Sequence, residues 1–291
     1  MLLAVHISDG ILPAPWIVGG FAMAAALLWL STYRLRDEEI PRIALLTAAF
    51  FIASSIHVRV GPTSVHLLLN GLVGVLLGWR AALAIAVGLG LQCALLQHGG
   101  YQTLGVNTCI LTLPALLCYG LFRGLHRLAW LRAPGGRALL VAGAALLWFF
   151  AAAYSVILLR AASLDAPMTL DWDRFHVQAL HAGLVPAGLI FAMASAWCER
   201  RLENAPEFPL GLLSGLVSVV LTVALNGGVL LLAGETEWQV PVLVLVVLHL
   251  PVAVIEGVIL GFAVGFLARV RPELLVPDHP RREAAPVAER V

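Results

Sequence analysis

Apolar residues run along this chain in long unbroken stretches separated by short polar turns. Nine stretches are readable, at residues 15–35, 42–58, 66–79, 81–97, 104–122, 138–160, 177–197, 209–232 and 240–268. Most reach the roughly 17–25 residues needed to cross a hydrocarbon core about 30 Å thick. None alternates with the period of two that a transmembrane barrel strand requires. The pattern predicts an all-α, polytopic membrane helix bundle of about 7–9 apolar segments. The third and fourth are short, so they either cross with tilt and local thinning or form a re-entrant pair. Residues 1–269 are expected to form one bundle, and residues 270–291 a polar, proline-bearing, disordered tail.

Composition sharpens this picture. Of 291 residues, 60% are hydrophobic and 12% charged, against about 25% charged in soluble domains. The formal net charge of +1 gives no reason to expect a nucleic-acid partner. All 18 basic residues are Arg. Without lysine there is no phosphate-binding-loop lysine, Schiff base or lysine general base. Uphill transport driven by ATP would therefore need a separate ATPase polypeptide. The four cysteines form no Cys-x-x-Cys pair and read as small buried hydrophobes. No basic region precedes an apolar run near residue 1, so no cleavable signal peptide is expected.

Arginine placement orients the bundle. With the N-terminus outside and the C-terminus cytoplasmic, 15 arginines fall inside and only Arg59, Arg160 and Arg174 outside, as the positive-inside rule favours. That orientation places His6, His57, His66, His98, His176 and His181 outside. It also places outside the acidic residues Asp165, Asp171, Asp173, Glu235 and Glu237, which read as solvated loops. His249 falls within the last span.

Three polar turns carry candidate chemistry. Asp9-Gly10 with Pro13 and Pro15 holds His6 on a short non-helical arm before the first span. Gly61-Pro62-Thr63-Ser64 breaks the apolar pattern just before His66, and Asn70 follows four residues later, on one helical face with it. The glycine-rich turn from His98 to Asn107 lets backbones approach closely. Each histidine alone reads equally well as an interfacial or solvated residue; three gathered on one side suggest a borderline metal ion. His57 and Arg59 read as interfacial. His249 and Glu256, seven apart in one span, share a face, as support for the binding region or as a helix-packing pair.

These motifs resemble the CbiM/NikM family, the substrate-capture membrane subunits of energy-coupling-factor transporters for cobalt and nickel. His6-Ile7-Ser8-Asp9-Gly10-Ile11-Leu12-Pro13 is similar to the family's His-Ile-x-(Asp/Glu)-Gly-(Phe/Leu)-Leu-Pro start. His66, followed by Gly71-Leu72-Val73-Gly74-Val75-Leu76-Leu77-Gly78, resembles its second motif. His98-Gly99-Gly100 with Thr103-Leu104-Gly105-Val106-Asn107 resembles His-Gly-Gly-x-x-(Thr/Ser)-Leu-Gly-Ala-Asn. The likeness covers about residues 6–120, and more loosely His249 and Glu256-Gly257.

The resemblance implies that His6 and His66 ligate Co(II) or Ni(II) as transported ion, with no organic cofactor. It implies support from Asp9, Asn70, His98, Asn107, His249 and Glu256. In the family, the arm normally begins Met-His, so that the terminal amine joins the chelate. Here Met1-Leu2-Leu3-Ala4-Val5 precedes His6. Either translation starts at Val5, or the extension is real and His57 or water completes the site; intact mass decides. The implied partners are a transmembrane coupling subunit (EcfT/CbiQ-like), cytoplasmic ATPases (CbiO-like) and a small accessory membrane subunit (CbiN-like). The implied setting is the cell membrane, and the implied role is supply for cobalamin biosynthesis or nickel enzymes. Two other classes remain: a membrane-embedded metalloenzyme activating water, though no His-Glu-x-x-His is present, and a metal-independent scaffold or pH sensor.

Overall fold

The computed structural model of the protein describes residues 6–60, 63–163, 182–202, 204–233 and 238–275. The expectations for Val5, for His176 and His181, for Asp165, Asp171, Asp173, Glu235 and Glu237, and for the tail beyond residue 275 lie outside the described residues.

Among the described residues there are nine α-helices. They are α1 (Ala14–Thr32), α2 (Ile40–Ser55), α3 (Asn70–Leu77), α4 (Ala81–Leu96), α5 (Leu104–His126), α6 (Pro134–Ser163), α7 (Leu184–Arg201), α8 (Phe208–Ala233) and α9 (Gln239–Val270). Every apolar stretch of the sequence thus carries a helix. Extended Pro13 and a proline in the first turn start α1, because proline lacks only a donor that the first turn leaves unpaired anyway. Among the described residues six segments are long and apolar enough to cross a membrane, which makes this a multi-pass membrane protein.

One of those six segments, Asn70–Leu96, does not run straight. The rings of His66 and His98, which flank it, lie 5.8 Å apart, whereas one continuous helix of that length would hold its ends about 40 Å apart. The chain reverses at Gly78, whose φ of 56° and ψ of −128° suit glycine, and a short 3₁₀ turn, Gly78–Arg80, leads into α4. With only 8 residues, α3 rises about 12 Å. The α3–α4 pair is therefore re-entrant, one of the two forms the sequence allowed.

Two local departures from a purely helical reading occur beside the histidines. Val58–Val60 and Thr63–Val65 form a two-stranded antiparallel hairpin with Val58 opposite Val65. β-Branched Val58, Val60, Thr63 and Val65 favour extended backbone over a helix in these two segments. The helix after it begins at Asn70, not at His66. His66 and Asn70 consequently share no helical face, which corrects the spacing argument made for that pair.

Small residues set the helix packing, as expected where lipid removes the hydrophobic drive between helices. Along the α8–α9 seam, a Cβ on Gly215 would lie 2.8 Å from the Cα of Gly257, and one on Gly211 2.7 Å from the Cα of Gly261. A buried polar knot ties α3 into that seam. Asn70 donates through Nδ2 to the Leu111 carbonyl (3.1 Å) and to Thr222 Oγ1 (2.8 Å), and its Oδ1 accepts from Ser218 Oγ (3.0 Å).

Candidate metal centre

The N-terminal arm reaches the site because α5 holds it. The side-chain amide of Asn107 pairs with the backbone of Ile7 as a strand would: Ile7 N donates to Oδ1 and Nδ2 donates to Ile7 O, both at 2.9 Å. Thr103 Oγ1 donates to the same carbonyl at 2.6 Å. Two residues on, the Asp9 carboxylate accepts the amides of Tyr101 (3.1 Å), Gln102 (2.9 Å) and Thr103 (3.2 Å). These are donors that the start of α5 cannot satisfy within the helix, and the positive end of the helix dipole favours the carboxylate there. Gly100 leaves the room that the Asp9 carboxylate fills. His6 is thereby fixed on both sides and buried, at 3% exposure.

His66 sits in the turn between the hairpin and α3. Its Nδ1 bonds the Leu67 carbonyl at 3.0 Å, which assigns the ring proton to Nδ1 and leaves a lone pair on Nε2. The carboxylate of Glu256, from the middle of α9, accepts the amides of both Leu68 and Leu69. Leu69 has a φ of 48°, a conformation that costs a non-glycine residue on the order of 1–3 kcal/mol and needs such an anchor. His98 follows the left-handed cap Gln97, its N–H bonded to Gln92 O (3.2 Å) and its carbonyl to Cys93 Sγ (3.3 Å).

These three turns, distant in sequence, converge. One ligand nitrogen each from His6, His66 and His98 lie within 4.8 Å of one another. The His6 and His66 rings stack with centroids 5.0 Å apart, and His98 stands edge-on to both. His57, at the end of α2, completes the group with centroids 4.0 Å from His98 and 4.8 Å from His66. Beneath them His249 of α9 bonds the Leu245 carbonyl through Nδ1 at 2.8 Å and lies within electrostatic reach of His6 and His66. His249 and Glu256 thus do not pair with each other: one faces the histidine group and the other holds the turn that carries His66.

The chemistry of the group is that of a neutral, lone-pair-rich pocket. Burial, and then the neighbouring imidazoles, hold His6 well below the usual histidine range. Burial pushes His66 down to about 3 and His98 to about 4. At neutral pH the rings are uncharged, the state in which imidazole ligates a metal. Among the described residues, neither ring nitrogen of His6, nor Nε2 of His66, nor Nε2 of His249 has a hydrogen-bond partner. Buried polar atoms are nearly always paired, so these unpaired ring nitrogens at the His6–His66–His98 group fit a ligand set for a cation. Thr103 stands in the third motif, where sequence reasoning gave it no role; its hydroxyl helps hold the arm, and its position just before α5, where helix-capping residues occur, was the available signal.

Comparison with known proteins finds similar chains. The family described as CbiM, cobalt uptake substrate-specific transmembrane region, matches residues 6–193 and 181–274. A putative metal transport protein of Haemophilus influenzae is 43% identical over 119 residues, 41% of this chain and 58% of that one. A putative fused nickel transport protein NikMN of Archaeoglobus fulgidus is 36% identical over 106 residues, 35% of this chain and 36% of that one. The chain thus spans roughly a third to three-fifths of the length of these curated relatives. A crystal structure of a transition metal transporter superposes with a TM-score of 0.50 at 15% identity, over 91% of this chain and 93% of the other, and shows the shared fold.

Proposed function

Since the chain belongs to the CbiM family, we propose that it is the substrate-binding membrane component of a Co(II) or Ni(II) uptake transporter driven by ATP. The observation that carries this is the convergence of one ligand nitrogen each from His6, His66 and His98, with buried, unpaired nitrogens on His6 and His66. An all-nitrogen set of neutral rings suits Ni(II) and accepts Co(II). Asp9, Asn107 and Glu256 hold the ligand-bearing turns, Asn70 fixes α3 behind His66, and His249 lines the floor.

The N-terminus and this site face outward in the proposed orientation, and the arginine-rich ends face the cytoplasm. The ion is captured under the N-terminal arm, and partner subunits drive its release inward. The lysine-free sequence leaves ATP hydrolysis to separate polypeptides. The family membership supports a transmembrane coupling subunit and ATPases beside it, in the cell membrane. The fused NikMN relative supports a small accessory subunit. Cobalt delivered this way would serve cobalamin biosynthesis, and nickel would serve nickel enzymes.

The test is the metal content of purified protein after loading with equimolar Ni(II), Co(II) and Zn(II). Near-stoichiometric nickel or cobalt, lost in His66→Ala, is expected. Zinc together with hydrolytic activity would instead indicate a membrane-embedded metalloenzyme, and no bound metal would sink the assignment.

A further inference from the structure

Resting on that reading of the site, we propose that His57 is a metal ligand of this chain. It gives the site a fourth imidazole, so that four ring nitrogens suffice for ion capture without a terminal amine. The key observation is the distance between Nε2 of His57 and Nε2 of His98, 2.9 Å. Two nitrogens bound to one metal at about 2.0–2.1 Å stand about 2.9 Å apart when they subtend a right angle. At a tetrahedral angle they stand about 3.3–3.4 Å apart. The His57–His98 edge already has the spacing of a square-planar or octahedral site, the geometry that Ni(II) takes with nitrogen ligands. One ligand nitrogen each of His6, His66 and His98 lies within 4.8 Å of the others, wider than the ~4.1 Å that separates ligands facing each other across such a site, so these rings would draw in on binding.

The proton positions agree. His57 Nδ1 lies 2.8 Å from the Ser55 carbonyl, so Nδ1 carries the proton and Nε2 keeps its lone pair. That backbone bond is also the usual way a ligating histidine is oriented through its other nitrogen. His66 is held identically by Leu67 O. In the ion-free protein the proton between His57 and His98 must therefore sit on His98 Nε2. A cation entering between the two rings takes that proton's place, and His98 carries its N–H on Nδ1 instead, a change of tautomer that leaves both rings neutral.

His57 is also built to be there. It lies two residues past Ser55, the last residue of α2, whose end is tied down by Ser54 Oγ on the Phe50 carbonyl and by Gln92 Nε2 of α4 on Ser54 Oγ, both at 2.5 Å. Gln92 also receives the His98 N–H. One buried residue thus fixes the chain next to both members of the His57–His98 edge.

The test uses the full-length protein loaded with Ni(II), read by X-ray absorption, which counts coordinated imidazole rings, and by direct titration. Four imidazoles are expected in the wild type and three in His57→Ala, with at least a tenfold loss of affinity, the minimum for a lost ligand given that lost orienting partners alone cost about 10–100-fold. Residues added ahead of Met1 are expected to leave ring count and affinity unchanged. Should His57→Ala fail to fold, the wild-type ring count still decides: three or fewer rings overturns the proposal. Unchanged affinity in His57→Ala, or loss of binding on extending the N-terminus, overturns it as well. A wild type that binds neither nickel nor cobalt overturns the proposed function and this inference together.

Discussion

The two ends of the bundle treat buried polar atoms in opposite ways. At the end where α1 stops, Arg80 spends its guanidinium on the carbonyls of Ser31 (2.6 Å), Tyr33 (2.9 Å) and Arg34 (3.0 Å) and on Glu39. Arg42 bonds the carbonyls of Leu76 and Leu274, and Arg137 pairs with buried Glu199 and reaches the Asn204 carbonyl. Leu275, just past the α9 end, is buried against this end too. At the other end of α1, about 28 Å away, buried ring nitrogens of His6, His66 and His249 face one another unpaired. Charges at the arginine end stitch helix ends together; the histidine end leaves its donors open. The difference separates architecture from proposed capture: among the described residues the arginine end pairs its buried charged groups with the exception of Arg132 Nε, and the histidine end would be completed by an ion.

The largest effect that would break this contrast is removal of a ligand. His66→Ala, or His6→Ala, is expected to lower Ni(II) or Co(II) affinity by about a hundredfold or more, at or above the top of the ~10–100-fold of an orienting partner. Thermal unfolding of the ion-free protein should change little, because the lost ring had an unsatisfied nitrogen. Calorimetric titration reads the first and circular dichroism the second; an unaltered affinity would refute the role of either ring. The reverse profile is expected at the arginine end. Arg137→Ala strands the Glu199 carboxylate at 4% exposure. Leaving one member of a buried pair costs about 3–5 kcal/mol, while metal affinity stays as it was. A loss of affinity there would mean that the two ends are not independent.

Smaller effects sharpen the comparison within the histidine end. Asn107→Ala removes both hydrogen bonds to the Ile7 backbone and frees the arm without touching a ligand. Affinity should fall about tenfold, at the low end for a residue that orients a ligand, with the rise appearing in the dissociation rate. An affinity equal to the wild type would show that Thr103 and Asp9 hold the arm alone.

Much of this was legible in the chain, for reasons that differ by residue. The helices were legible because lipid imposes one pattern on every span, and the three histidine turns because each breaks that pattern. The hairpin at Val58–Val65 was not, since β-branched residues in so apolar a chain read equally well as the end of a span and the start of the next. The place of His66 followed from that misreading, because a helix beginning four residues earlier would have put it beside Asn70. His57 looked interfacial because nothing local marks it; only the return of α4 to the same end brings His98 against it. Glu256 was visible as an expensive buried acid, but its partners are backbone amides, which no sequence displays.

The smallest effect is one of pH, and it distinguishes the two ends by the window in which each responds. In the unfolded chain the histidines titrate near 6.5; in the ion-free fold, burial holds His66 near 3 and His98 near 4. Between about pH 4 and 6.5 the unfolded chain binds more protons than the folded one, so stability rises with pH there and falls as the solution is acidified below 6.5. Above that window these groups contribute no slope. At the arginine end the Glu39 carboxyl responds lower. Its hydrogen bond from Arg80 holds the Glu39 carboxyl below the usual range, so that contribution is present above the unfolded carboxylate value and is lost only as pH falls through the lowered one. Thermal midpoints of ion-free protein at pH 7.5, 6 and 5 should therefore decline mainly through the histidines. The decline should be shallower in His66→Ala and unchanged in Glu39→Gln. Equal slopes in wild type and His66→Ala would show that the rings are not held neutral by the fold, and the contrast between an open end and a paired one would lose its electrostatic basis.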